Sequence, residues 1–304
     1  MLPPAPRPLL NPHLVPLLLV LTLWLGVLCW SGPASAFTFR DYPRPKLASP
    51  DTIQARGALL QDLTTGETLY ARDPDGRYLP ASTTKLMTAL IVYEKLHGMN
   101  GSVTIKTDDR AEPSNIPVVP GETISVDTLF HALLIESCND SARALGRSVA
   151  GTTPAFVDMM NQRALAMGCF NTHFNNPNGL PAPSGTHYTS CADLMKIFRQ
   201  VLKYKELADI MRTKEYTIRT ASGTHSLRNH NRLLGYYPGM GPAKTGWTVA
   251  SKHTYACAVT QNGHTLLLTL LNSTNKWQDA QILFNWGFAQ IRSPAPSGSA
   301  ASSP

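Results

Sequence analysis

Two hairpin signals, one near each end of the chain, constrain the fold more than any other feature of the sequence. Residues 255–261 and 264–271 alternate in strand fashion around Asn262-Gly263, the dipeptide best suited to a two-residue type I′ turn. Residues 57–61 and 68–72 form a second pair across Thr64-Thr65-Gly66-Glu67. Between the hairpins the pattern is mainly helical, over residues 82–96, 126–149, 154–167 and 192–203, with a last helix candidate at 278–288. Strands at both ends of a helical middle predict an α+β fold. One antiparallel β-sheet is flanked by helices and joined to an all-helical subdomain, with a ligand cleft between them.

Ser82-Thr83-Thr84-Lys85 opens the first of these helices, just after Pro80. Positions i and i+3 share a helix face, so Lys85 can reach back to the Ser82 oxygen. A helix N-terminus also favours developing negative charge. That is the geometry of an activated serine acyltransferase. The tetrad alone is weak, because composition yields Ser-x-x-Lys about once in a chain of this length. Indeed Ser273-Thr274-Asn275-Lys276 is a second copy. Order separates the two. Ser82 is followed by Ser137-Cys138-Asn139 and then by Lys244-Thr245-Gly246-Trp247, whereas nothing suitable follows Ser273, which reads as chance.

Ser-x-x-Lys, then Ser-x-Asn, then Lys-Thr-Gly is the motif set of penicillin-binding proteins and class A β-lactamases. The contexts of residues 79–89, Phe156-Val157 to Met160-Asn161, Asn176-Pro177-Asn178-Gly179-Leu180 and Asn231-Arg232-Leu233-Leu234 resemble low-molecular-mass D-alanyl-D-alanine carboxypeptidases. The resemblance runs over roughly residues 57–288 and implies the β-lactamase/transpeptidase-like fold. It implies removal of the terminal D-Ala from peptidoglycan stem pentapeptides through an acyl-enzyme, with β-lactam antibiotics as inhibitors. By resemblance Ser82 is the nucleophile, Lys85 the general base and Ser137 a proton relay to the leaving amine. Asn139 binds the substrate amide, while Lys244 and Thr245 bind the terminal carboxylate. Gly246 lets the substrate backbone approach, and the backbone N–H groups of Ser82 and Trp247 form the oxyanion hole. No cofactor and no metal are implied.

Other readings stay open. Single-domain relatives include D,D-endopeptidases that cut peptidoglycan cross-links. A class A β-lactamase deacylates with a glutamate between the second and third motifs, and residues 137–205 contain none. A non-catalytic wall-binding protein would not need all three motifs. Glu94-x-x-His97 places a Glu/His pair on a helix face, but without a second ligand cluster a salt-bridge role outweighs a zinc site. Cys138 stands where these carboxypeptidases usually have glycine, and Val249-Ala250-Ser251-Lys252-His253 departs from their usual Ala-Gly pair.

The N-terminus reads as an export signal. Arg7 precedes an apolar core ending near Trp30, and Ala34-Ser35-Ala36 is a cleavage box, giving a signal peptide over residues 1–36. A Pro-rich lead-in (37–50), a D,D-peptidase catalytic domain (51–292) and a disordered tail of Ser, Pro, Ala and Gly (293–304) follow. The expected location is the periplasm or cell envelope, with membrane association only if the signal stays uncleaved. The net charge of +7, of which Arg7 supplies one, suits anionic envelope polymers. No basic run interleaved with aromatics points to nucleic acid. Cys138, Cys169, Cys191 and Cys257 are too scattered for a disulfide framework and are expected as free, buried thiols.

Overall fold

The computed structural model describes residues 47–182 and 186–292; the expected leader, its cleavage box and the tail lie outside them. Strands β1 (Gly57–Asp62) and β2 (Thr68–Arg72) come first, then helix α1 (Lys85–Leu96). A two-stranded sheet of β3 (Ser102–Thr104) and β4 (Thr123–Ser125) leads into α2 (Val126–His131), α3 (Asn139–Ala150), α4 (Thr153–Ala166), α5 (Cys191–Val201) and α6 (Lys205–Arg212). A second ribbon pairs β5 (Glu215–Thr220) with β6 (Gly223–Arg228). The chain closes with β7 (Met240–Thr248), β8 (Lys252–Gln261), β9 (His264–Ser273) and α7 (Lys276–Arg292).

The main sheet is antiparallel in the order β2-β1-β9-β8-β7, so the two ends of the chain build it together. Asn262 and Gly263 take φ of 50° and 81°, the left-handed pair that a type I′ turn requires. Alternation along each strand then divides the core. Leu59, Ala256, Ala258, Leu267 and Leu271 join the helical side, where Leu86, Leu90, Phe130 and Phe198 are buried. Ala58, Leu60, Tyr255, Cys257, Leu266, Leu268 and Leu270 face Leu283, Phe284 and Phe288 of α7. A strand whose successive side chains are all buried needs cover on both faces, and α7 supplies the second cover.

The helix expected over 126–149 is interrupted. Residues 132–136 form a π-turn, Ser137 takes φ 66° and ψ 33°, and Cys138 is extended before α3 restarts. The apolar run Leu133-Leu134-Ile135 continues the helical pattern and hides this break, which lifts Ser137 out of the helical register. Ser82 likewise lies in a 3₁₀ turn, Ala81–Thr84, immediately before α1 rather than in its first turn. Among the described residues, Cys138, Cys169, Cys191 and Cys257 are free and buried, as expected. Among the described residues no helix is long and apolar enough to cross a membrane.

Candidate active site

Lys85 is fully buried at the start of α1, and its Nζ lies 2.9 Å from Ser82 Oγ. It donates to Asn139 Oδ1 at 2.6 Å and to the Asn178 carbonyl at 2.7 Å. Both partners can only accept. They therefore take the two N–H bonds of a neutral amine and leave its lone pair facing the serine hydroxyl. Burial pushes the Lys85 amine well below the usual lysine range, and the charge of Lys244 pushes it further. This is the direction a general base needs.

Lys244, on β7, is also buried and donates to Ser137 Oγ at 2.8 Å and to the Thr245 carbonyl at 2.9 Å. Its pKa falls to about 7, mainly through burial. Two serine–lysine pairs, Ser82 with Lys85 and Ser137 with Lys244, thus come from four separate elements, and Asn139 ties the motifs together through Lys85. Residues 244–246 pair with Ala256, Tyr255 and Thr254 of β8 on one side only, because β7 is the edge of the sheet. Gly246 is packed so closely that an added Cβ would stand 2.8 Å from the Ser82 nitrogen and 2.3 Å from Thr254 Oγ1.

A cleft of about 700 Å³ opens over these groups, lined by Ser82, Ser137, Asn139, Thr245, Gly246 and Trp247 among others. Lys85 and Lys244 sit behind its surface. The basic residues that line it were not expected from the sequence: the cations Arg232 and Lys276, and His230 and His253, whose imidazoles burial holds below the usual histidine range and therefore neutral. Lys276 Nζ lies 2.9 Å from His253 Nδ1. Lys276 belongs to the second Ser-x-x-Lys tetrad. That tetrad is not a catalytic pair, since Ser273 donates to Asp279 at 2.6 Å while Lys276 turns toward His253. No acidic residue lines the cleft among the described residues. Glu94 is held by both nitrogens of the Arg163 fork, at 2.7 and 3.0 Å, the salt-bridge role expected of it.

The sequence model of the D-alanyl-D-alanine carboxypeptidase family matches residues 44–275. The chain belongs to this family of serine peptidases. D-alanyl-D-alanine carboxypeptidase DacF of Bacillus subtilis is 32% identical over 90% of this chain and 71% of its own length. A D-alanyl-D-alanine endopeptidase of Pseudomonas aeruginosa is 30% identical over 89% of this chain and 87% of its own. The crystal structure of a D-alanyl-D-alanine carboxypeptidase from Mycobacterium tuberculosis H37Rv aligns with a TM-score of 0.75 at 29% identity, covering 84% of this chain and 96% of that one. The α+β fold expected from the two hairpins and the helical middle, and the carboxypeptidase-family fold that the motif resemblance implied, are the fold observed.

Proposed function

We propose that the chain is a serine D,D-carboxypeptidase that removes the terminal D-Ala of peptidoglycan stem pentapeptides through an acyl-enzyme on Ser82. The observation that carries this is the Lys85 amine, 2.9 Å from Ser82 Oγ with its two N–H bonds occupied by acceptors. Lys85 takes the Ser82 proton as the oxygen attacks the carbonyl carbon. The backbone N–H groups of Ser82 and Trp247 receive the oxyanion. Ser137, bonded to Lys244, passes a proton to the leaving amine. Asn139 keeps one amide hydrogen for the substrate, the other being donated to the Glu112 carbonyl. The open edge of β7 pairs with the extended substrate, and the absent side chain at Gly246 admits it. The terminal carboxylate is received by Thr245, Arg232 and Lys276, which line the cleft, with Lys244 adding positive charge from behind its surface.

The same chemistry on an anionic, cross-linked substrate is endopeptidase activity, and the Pseudomonas aeruginosa relative carries that name. Penicillins acylate Ser82 and remain attached, because no acidic side chain lines the cleft among the described residues to activate water as the class A glutamate does. A leader over residues 1–36 and the surplus of positive charge place the catalytic domain, residues 51–292, in the cell envelope under this proposal. Purified protein is offered a monomeric pentapeptide muropeptide and a cross-linked dimer, and products are weighed by mass spectrometry. Loss of one D-alanine from the monomer is expected. Splitting of the dimer without D-alanine release from the monomer would assign the endopeptidase reaction instead.

A further inference from the structure

Among the described residues, 110–122 form neither helix nor strand, yet Pro113 and Ser114 line the cleft beside Ser82. Residues 117–122 bond to Ile105, Thr220 and Ala221, whereas the chain from 104 to 116 is held by one face of α3. Arg147 forks onto both oxygens of Asp109, at 2.7 and 2.8 Å, and donates to the Thr104 carbonyl. One turn earlier, Arg143 donates to the carbonyls of Asp108 and Arg110. At the start of the helix, the Asn139 backbone N–H donates to the Ser114 carbonyl at 2.7 Å, and its side chain to the Glu112 carbonyl at 2.7 Å. Asp140 completes the series: its Oδ2 accepts the Ile116 N–H at 3.1 Å, and its own N–H donates to Asn115 Oδ1 at 3.3 Å.

Positions 139, 140, 143 and 147 share a helix face, so the wall is zipped antiparallel onto the helix that begins in the second motif. Asp140 is a buried carboxylate that touches neither Ser82 nor Lys85 by any hydrogen bond. Its charge is held by the N–H groups of Ile116 and Ser141 and by the Ser141 hydroxyl. A carboxylate is costly to bury, and its external partner here is the wall. The nearer half of the zipper, residues 112–116, is the half that reaches the cleft; the arginines hold the half that does not.

We propose that Asp140 is a positioning residue for long substrates, latching residues 112–116 as the cleft wall against which the stem peptide is aligned. This rests on the D,D-peptidase reading above. A short ligand bound at Ser82 and Thr245 does not need the wall, whereas a pentapeptide does. The latch therefore acts on substrate length; the Asp140 charge raises the Lys85 amine only slightly against the larger effect of burial, so its removal leaves Lys85 a neutral base.

The test compares Asp140→Ala and Asp140→Asn with the parent on three ligands: a stem pentapeptide, an acylated D-Ala-D-Ala dipeptide and a small penicillin. A misplaced wall costs about 10²-fold in kcat/KM. The expected result for Asp140→Ala is a loss of about that size on the pentapeptide, carried mainly by KM, with dipeptide turnover and penicillin acylation changed less than about threefold. Asp140→Asn retains an oxygen that can accept the Ile116 N–H and is expected to recover most of the loss. Arg147→Ala, which frees only the far half of the zipper, lowers thermal stability without dependence on substrate length. Equal losses of Asp140→Ala on all three ligands, or none on any, would overturn the latch. Failure of penicillin to acylate the parent protein would instead overturn the D,D-peptidase reading, so the two failures are distinguishable.

Discussion

Replacing Lys85 by Met is expected to lower the rate of penicillin acylation by about 10²–10⁴-fold, the size of contribution made by a positioned general base. The side chain is fully buried and offers its lone pair to Ser82 only because Asn139 Oδ1 and the Asn178 carbonyl occupy its hydrogens. Met fills a similar volume without a charge. Relief from burying an amine only partly offsets the loss of those two hydrogen bonds, since each acceptor left unpaired in the interior costs about 1–3 kcal/mol. The variant should therefore keep its circular dichroism spectrum but melt below the parent. Stopped-flow acylation with a fluorescent penicillin reads the effect. An acylation rate within tenfold of the parent would remove Lys85 from the role of base.

Gly179→Ala is expected to damage both stability and catalysis from outside the three motifs. Gly179 has φ of 86°, and a Cβ there would lie 1.8 Å from the Ala81 carbonyl oxygen and 3.0 Å from the Ser82 nitrogen. The left-handed conformation costs a residue with a side chain about 1–2 kcal/mol, and overpacking against backbone adds about 1–3 kcal/mol. The backbone that must yield carries Ser82, the proposed nucleophile, so acylation should fall at least tenfold together with the melting temperature. Gly263→Ala is the control: its φ is 81°, but a Cβ would meet nothing within 4 Å. It should lose about 1–2 kcal/mol of stability and no activity. Thermal unfolding and penicillin labelling, run side by side, separate the two glycines.

What the sequence disclosed, and what it concealed, follows from the range of each interaction. Asn262-Gly263 and the Ser82–Lys85 spacing are local, and both appear in the structure in the form their chemistry demands. Strand β7 was harder to see, because Gly241, Pro242 and Gly246 spoil its alternation and a register shift falls between Met240 and Ala243. The break at Ser137 was concealed by an unbroken apolar run, since burial of Leu133, Leu134 and Ile135 is satisfied equally by an α-helix and a π-turn. The cations Arg232 and Lys276 reach the cleft from segments 44 residues apart, with no spacing rule to join them. Lys276 was set aside with its tetrad. Its serine is indeed structural, but the lysine lines the cleft. The β5–β6 ribbon, short and largely exposed, carried no signal strong enough to register, and α6 buries Leu207, Ala208, Ile210 and Met211 over too few turns for a helical period to show.

Ser82 as the acylated nucleophile is the centre of this account, and mapping the penicillin adduct tests it most directly. The purified protein is incubated with penicillin, digested, and its peptides are weighed by mass spectrometry. One adduct is predicted, on the peptide containing Ser82, stable on the time scale of the digest and absent from Ser82→Ala. An adduct on another serine, such as Ser137 or Ser273, or labelling undiminished in Ser82→Ala, would contradict it.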